Sequence, residues 1–152
     1  MNMIDFQPMI WMSWRKKEMR VSLNYNGNTR QPSLSDLMPL TDNSNPLYIT
    51  RGNPDLKQMF SHNIRLNFQN SPKGISANLG GQVEQNSVTQ VMIYDVQTGG
   101  RETYPVNING NWNLSGGAIW WKRFGHISLT LDMSANHSNR VGLINEDKSL
   151  QP

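Results

Sequence analysis

The sequence contains no cysteine. That absence excludes disulfides, thiolate nucleophiles and cysteine-ligated metals. Apolar residues are also scarce, at 36% of a 152-residue chain, fewer than a water-soluble core normally uses. Disorder does not explain the deficit. Disordered chains are rich in charge and poor in aromatics, whereas here 16% of residues are charged and five Trp, four Tyr and four Phe are present. No apolar run approaches the ~20 residues of a membrane-crossing helix. The opening stretch "MNMIDFQPMIWMSWRKK" does not read as a secretory signal, because its basic residues follow the apolar ones and Asp5 and Pro8 interrupt it. Long charge runs are missing as well. The net charge is +3 and the longest basic run is Arg15-Lys16-Lys17, so no nucleic-acid partner is expected.

Groups that could carry catalysis are equally thin. His62, His126 and His137 lack metal-ligand spacing and read as solvated or facing a polar interior. Asp36, Asp42 and Asp55 lack the spacing of a calcium loop; Asp36 and Asp42 read as caps of local turns. Gly99-Gly100 is a turn signal, since no helix follows it to cradle a phosphate. The expectation is a protein that is not an enzyme, with no catalytic residues, no metal and no cofactor.

What the chain does contain is alternation with period two. In "RVSLNYN", Val21, Leu23 and Tyr25 oppose Arg20, Ser22, Asn24 and Asn26. Ile64, Leu66 and Phe68 oppose Asn63, Arg65 and Asn67 in the same way. From Val106 to Trp120 the even positions are apolar or glycine, against Asn107, Asn109, Asn111 and Asn113. Ile127, Leu129, Leu131 and Met133 repeat the pattern. Strands with one apolar and one polar face follow, and they account for the low apolar content. About six strands are expected: Phe6–Trp14, Met19–Asn26, Phe60–Gln69, Ile75–Tyr94, Arg101–Trp121 and His126–Asn139. Two of these run to about twenty residues, far beyond the ~5–6 usual in soluble sheets; Gly80-Gly81 and Gly116-Gly117 mark where a bulge could divide either one.

Connections alternate in length. "RKKE", "NSPKG" and "KRFG" are short, while residues 27–57 form a long proline-rich loop and "DVQTGG" a glycine-rich one. In an up-and-down arrangement the short turns share one end and the long loop lies at the other, as in outer-membrane barrels. Trp14, Phe68 and Trp120 each fall just before a short turn, where an interfacial aromatic girdle would sit. Within the long loop, "PSLSDLMPL" allows one helical turn between Pro32 and Pro39. Its proline and Asx turn chemistry points to an ordered loop that folds on itself or packs over a barrel mouth.

The loop text carries a resemblance. Tyr25, Gly27, Thr29, Arg30, Pro32 and Ser33 are followed by Leu37, Pro39, Asp42, Ser44, Asn45, Pro46 and Leu47, then by Gly52, Asn53, Pro54, Leu56 and Lys57. With the return strand "SHNIRLNF" and the later "TGGRETYPVNINGNW", this resembles the outer membrane protein beta-barrel family of TonB-dependent-receptor-like proteins, common in Bacteroidetes. "LKQMF" departs from the family's usual Pro-Glu after the Lys, which leaves the start of the next strand open. The resemblance implies an all-β antiparallel up-and-down meander in the bacterial outer membrane, used for nutrient uptake with energy from the periplasmic TonB system. Six strands are too few to close a membrane barrel. One domain over residues 1–152 is therefore expected, an incomplete segment of a barrel whose partners are outer-membrane lipid and the remaining strands and plug. The alternative is a soluble β-sandwich binding carbohydrate or another surface ligand, with Trp11, Trp112, Trp120 and Trp121 as a stacking platform.

Overall fold

The computed structural model describes residues 5–94, 97, 99–144 and 147–151. It contains one helical turn, α1 (Leu34–Leu37), and the strands β1 (Met9–Lys16), β2 (Met19–Arg30), β3 (Thr41–Asn45), β4 (Tyr48–Arg51), β5 (Met59–Asn70), β6 (Ile75–Gln85), β7 (Ser87–Tyr94), β8 (Arg101–Ile108), β9 (Asn111–Phe124), β10 (Ile127–Ile144) and β11 (Asp147–Gln151). Six of them, in the order β1-β2-β5-β6-β9-β10, form one antiparallel wall.

The register fixes the ends of this wall. Lys16 pairs with Met19, Met19 with Asn70, Asn70 with Ile75, and Ile75 with Trp120. The three short turns therefore share one end, as their lengths imply. Each uses a left-handed residue: Lys17 (φ 52°), Gly74 (φ 63°) and Gly125 (φ 60°). Gly74 has a second reason to be bare. A Cβ there would overlap the Trp121 carbonyl, and the Trp121 amide donates to the Gly74 oxygen at 2.8 Å. Gly74→Ala is expected to cost about 1–3 kcal/mol through combined strain and overlap; unchanged stability in a denaturant titration of the folded barrel would contradict this.

The two twenty-residue strands are each divided, though not at the glycine pairs. The wall runs without a register shift through Gly80-Gly81 and Gly116-Gly117. There the missing side chains make room for neighbours: a Cβ on Gly117 would stand 2.9 Å from Asn78 Oδ1, and one on Gly80 3.1 Å from Ser115 Oγ. The breaks lie at Asn86 (φ 54°) and Gly110 (φ 112°). Both are left-handed, a conformation glycine adopts freely and asparagine tolerates. The register of the β6–β9 hairpin is kept across the break, with Glu84 opposite Asn111 below it and Ser87 opposite Ile108 above it. One long hairpin is thus bent once, on both strands at the same level.

Above the bend a second, smaller leaf forms. β7 and β8 pair with each other, the end of β10 runs parallel to β7 at Leu143 and Ile144, and β11 pairs with β10. The hairpin has turned over, because β9 neighbours β10 in the wall whereas β7 neighbours it in the leaf. The proline-rich loop completes the leaf. β2 continues to Arg30, α1 is the single helical turn, and β3–β4 is a hairpin whose second strand runs parallel to β8 from Tyr48 to Thr50. The segment 27–57 is therefore structured, and "DVQTGG" lies partly outside the described residues. Leu56 (1% exposed), Val91 (1%), Ile108 (6%) and Pro105 are buried, and all belong to the leaf or the loop that packs on it. In the wall no large apolar side chain among the described residues is fully buried.

Candidate functional site

Directly opposed residues of an antiparallel sheet share a face, so each register row assigns a side. One row reads Ile10, Tyr25, Ile64, Gly81, Leu114 and His137; the next, Met12, Leu23, Leu66, Leu79, Gly116 and Ala135; the next, Trp14, Val21, Phe68, Ala77, Ala118 and Met133. Apart from His137 these rows are apolar, and nothing among the described residues covers this face: Ile64 is 50% exposed, Leu79 50% and Leu131 54%. The opposite face carries Ser22, Asn24, Arg65, Asn67, Asn78, Ser115 and Asn136 on the intervening rows. Side chains interlock there, with Asn67 Nδ2 donating to Ser22 Oγ at 3.3 Å and Asn113 Nδ2 to Asn136 Oδ1 at 2.8 Å. Asn24, Asn63, Arg65, Gln82 and Asn113, with Trp11, line an open groove of about 600 Å³ on that side.

The aromatics sort to two levels of the apolar face. Trp14 and Phe68 lie in one register row and Trp120 in the next, toward the short turns. A second group, not anticipated from sequence, sits at the other end. Tyr25 Oη and His62 Nδ1 are hydrogen-bonded at 3.0 Å, the Phe60 ring meets His62 edge-on at 4.7 Å and stacks on Phe6 at 6.3 Å, and Trp112 meets His137 at 5.2 Å. His62 and His137 are therefore on the apolar face, contrary to the expectation of a solvated or polar-facing position. The signal was available: His62 shares parity with Ile64 and Leu66. Parity also separates the four tryptophans. Trp11 and Trp121 belong to the polar face, Trp112 and Trp120 to the apolar one, so the stacking platform does not assemble.

Where the long hairpin bends, asparagine side chains replace the interrupted ladder. The Asn86 amide donates to Asn109 Oδ1 at 2.8 Å, the Val141 amide to Asn111 Oδ1 at 2.9 Å, and Asn139 Nδ2 to the Gly110 oxygen at 3.0 Å. Asn107 does most. It accepts from the Lys57 amide at 2.7 Å and donates to the Lys57 oxygen at 3.0 Å and the Asn86 oxygen at 2.8 Å. Backbone groups freed from a ladder need such partners. Asn107 and Asn109 therefore anchor the leaf; of the four asparagines expected to face an interior, Asn111 and Asn113 lie on the polar face of the wall, and Asn113 lines its groove. Asn107→Ala is expected to cost about 1–3 kcal/mol and to expose the bond after Lys57 to trypsin; unaltered cleavage there would argue against the anchor.

The loop motif residues act on the same leaf. Arg30 closes the β2–β5 pairing opposite Met59 and, with Pro32, Asp36, Val88 and Gln90, borders a second groove. Ser33 caps α1 by accepting from the Asp36 amide. Gly52 lies so close to the Met38 carbonyl that a Cβ would overlap it. The Asn53 amide donates to the Asp36 oxygen at 2.6 Å, its Nδ2 donates to the Pro105 oxygen at 3.0 Å, and its Oδ1 accepts from Asp55 across Pro54. Pro46 stands apart in the β3–β4 turn, where Asn45 Oδ1 accepts from Leu47. Asp42 accepts from the Ser44 hydroxyl and amide, which hold its carboxyl below its ordinary value. That turn is intact at neutral pH and weakens only as the pH falls below the ordinary aspartate range. Arg51 pairs with Glu102 at 2.7 Å beneath the Tyr104 ring.

A sheet that is apolar and bare on one side, polar and grooved on the other, and unclosed at both edges defines an open piece of a transmembrane β-barrel. The comparison with known families agrees. The model of the outer membrane protein beta-barrel family matches residues 2–147, and the chain belongs to that family. No curated protein and no solved structure matches the chain at a significant level.

Proposed function

We propose that this chain is part of the wall and outer leaf of an outer-membrane receptor of the TonB-dependent type, working in nutrient uptake and performing no catalysis. The observation that carries this reading is the segregation of the two faces over six strands. The apolar face meets outer-membrane lipid, and the polar groove faces a lumen. Trp112 and Trp120 are eight residues apart on β9, or roughly 27 Å along a strand, close to the ~25 Å apolar band of outer-membrane barrels once tilt is allowed for. Trp14, Phe68 and Trp120 then mark one membrane interface and Tyr25, His62 and Trp112 the other. The leaf pinned by Asn53 and Asn107 lies outside the bilayer on the long-loop side. The resemblance of the loop motif to TonB-dependent-receptor-like proteins of Bacteroidetes is what supports the receptor role, and with it a plug within the complete barrel.

Planar-bilayer recording on the complete barrel tests the reading. A plugged receptor is electrically quiet, and growth on its limiting nutrient is lost when the TonB protein is removed. A steady, large conductance together with TonB-independent growth would instead identify a porin.

A further inference from the structure

Charge is divided unevenly between the two ends of the wall. Arg15, Lys16, Lys17, Arg20, Lys73, Lys122 and Arg123 gather at the short-turn end, against Glu18 and Asp132 alone among the described residues. Seven cations and two carboxylates make a formal net charge of +5 there, and the remaining seven cations and nine carboxylates make −2 for the rest of the chain. The mild excess of +3 in the whole sequence conceals this polarity.

The arrangement on the apolar face is more specific than the count. Lys16 follows Trp14 by two residues and Lys122 follows Trp120 by two, so each lysine shares the face of its tryptophan and stands one step nearer the turns. Lys122 Nζ lies 5.1 Å from the centroid of the Phe124 ring, the next residue on that face. On β5 the order is Phe68, Asn70 and then Lys73 in the turn, where the Lys73 amide donates to Asn70 Oδ1 at 3.3 Å. Lys16, Lys17, Lys73 and Lys122 are all exposed. An apolar band, then an aromatic, then an exposed lysine is the order of hydrocarbon, interface and headgroup along a membrane normal.

We propose that the short-turn end is a binding belt for anionic phospholipid headgroups, with Lys16, Lys17 and Lys122 as its principal cations and Trp14 and Trp120 setting its depth. The inference rests on the barrel reading above. Its occupant is chosen by charge complementarity: phosphate-bearing lipid with net negative charge satisfies the clustered cations, whereas a zwitterionic lipid does not. The belt thereby orients the wall, with the basic turns at the leaflet of anionic phospholipid and the leaf on the opposite side.

The test uses the complete barrel in phosphatidylcholine bilayers containing ~10 mol % phosphatidylglycerol, where each cation near the surface contributes about fivefold to the preference for anionic lipid. Quenching of tryptophan fluorescence by brominated phosphatidylglycerol, compared with brominated phosphatidylcholine, gives that preference. The triple variant Lys16→Gln, Lys17→Gln, Lys122→Gln is expected to lower it by up to about a hundredfold, and high salt to lower it in the wild type. A control that removes the same charge elsewhere, Arg30→Gln, Lys57→Gln, Arg140→Gln, is expected to retain it. Equal quenching by the two lipids in the wild type, or an equal loss in the control, would overturn the belt while leaving the barrel standing. Absence of quenching by either lipid would remove the membrane reading and the belt together.

Discussion

Leu66→Arg is expected to destabilise the inserted barrel by roughly 2–4 kcal/mol, while Asn67→Arg costs under ~1 kcal/mol. The two positions are adjacent on β5, and their backbone pairing is equivalent: Leu66 stands between Leu23 and Leu79, Asn67 between Ser22 and Asn78. Only the face differs. Leu66 also lies in the register row midway between the levels of Trp112 and Trp120, because its row crosses β9 at Gly116. A cation there is farthest from either headgroup region and has the longest path to water. At Asn67 the guanidinium would enter a face already lined by Arg65, Asn24 and Asn113, where it remains hydrated. Leu114→Arg, one row nearer the upper aromatics, should fall between the two. Equilibrium folding of the complete barrel into vesicles from urea measures all three. Equal costs at 66 and 67 would mean that β5 does not separate lipid from lumen.

A larger effect is expected when the chain is deprived of its closing strands. Expressed by itself in water it should aggregate or remain unfolded, and with the missing strands supplied it should insert. The reason is visible at both edges of the wall. β1 pairs only with β2, and from Ile127 to Asn139 β10 pairs only with β9 among the described residues. Each edge is a row of free N–H and C=O groups, which in water is a template for other chains and in lipid has nothing to bond. The apolar face adds to the problem, since nothing among the described residues covers it; Trp14, Leu131 and Met133 are 51%, 54% and 72% exposed. Among the described residues the buried large apolar side chains belong to the upper leaf and the loop packed on it, too few to hold six strands in water. Light scattering and thermal unfolding decide the matter. A monomeric, detergent-free species with a cooperative transition would mean that the faces are covered in some other way, and would favour the soluble sandwich.

The division of the wall into two faces was legible in the sequence because strand geometry leaves no freedom there. Side chains alternate with period two, so once Leu66 is assigned to a face, Ile64, Phe68 and His62 follow. The common end of the short turns was legible for a similar reason: a connection of a few residues can only join antiparallel neighbours. The turn chemistry of Ser33, Asp42, Asn45 and Asn53 is local too, and a hydrogen bond two or three residues away is written in the residues themselves.

Tertiary structure alone decided the bend at Asn86 and Gly110, the turned-over hairpin, and the parallel pairing of β4 with β8. Gly80-Gly81 and Gly116-Gly117 were equally plausible places to break a strand, and a glycine by itself does not say whether its freedom is used for φ or for space. At Gly117 it is space, taken up by Asn78; at Gly110 it is φ. What makes the bend tolerable is a set of donors and acceptors distant in the chain, Asn107 toward Lys57 and Asn139 toward Gly110. Alternation sees one strand at a time, whereas those hydrogen bonds exist only after fifty residues of intervening chain have brought Asn107 back to Lys57.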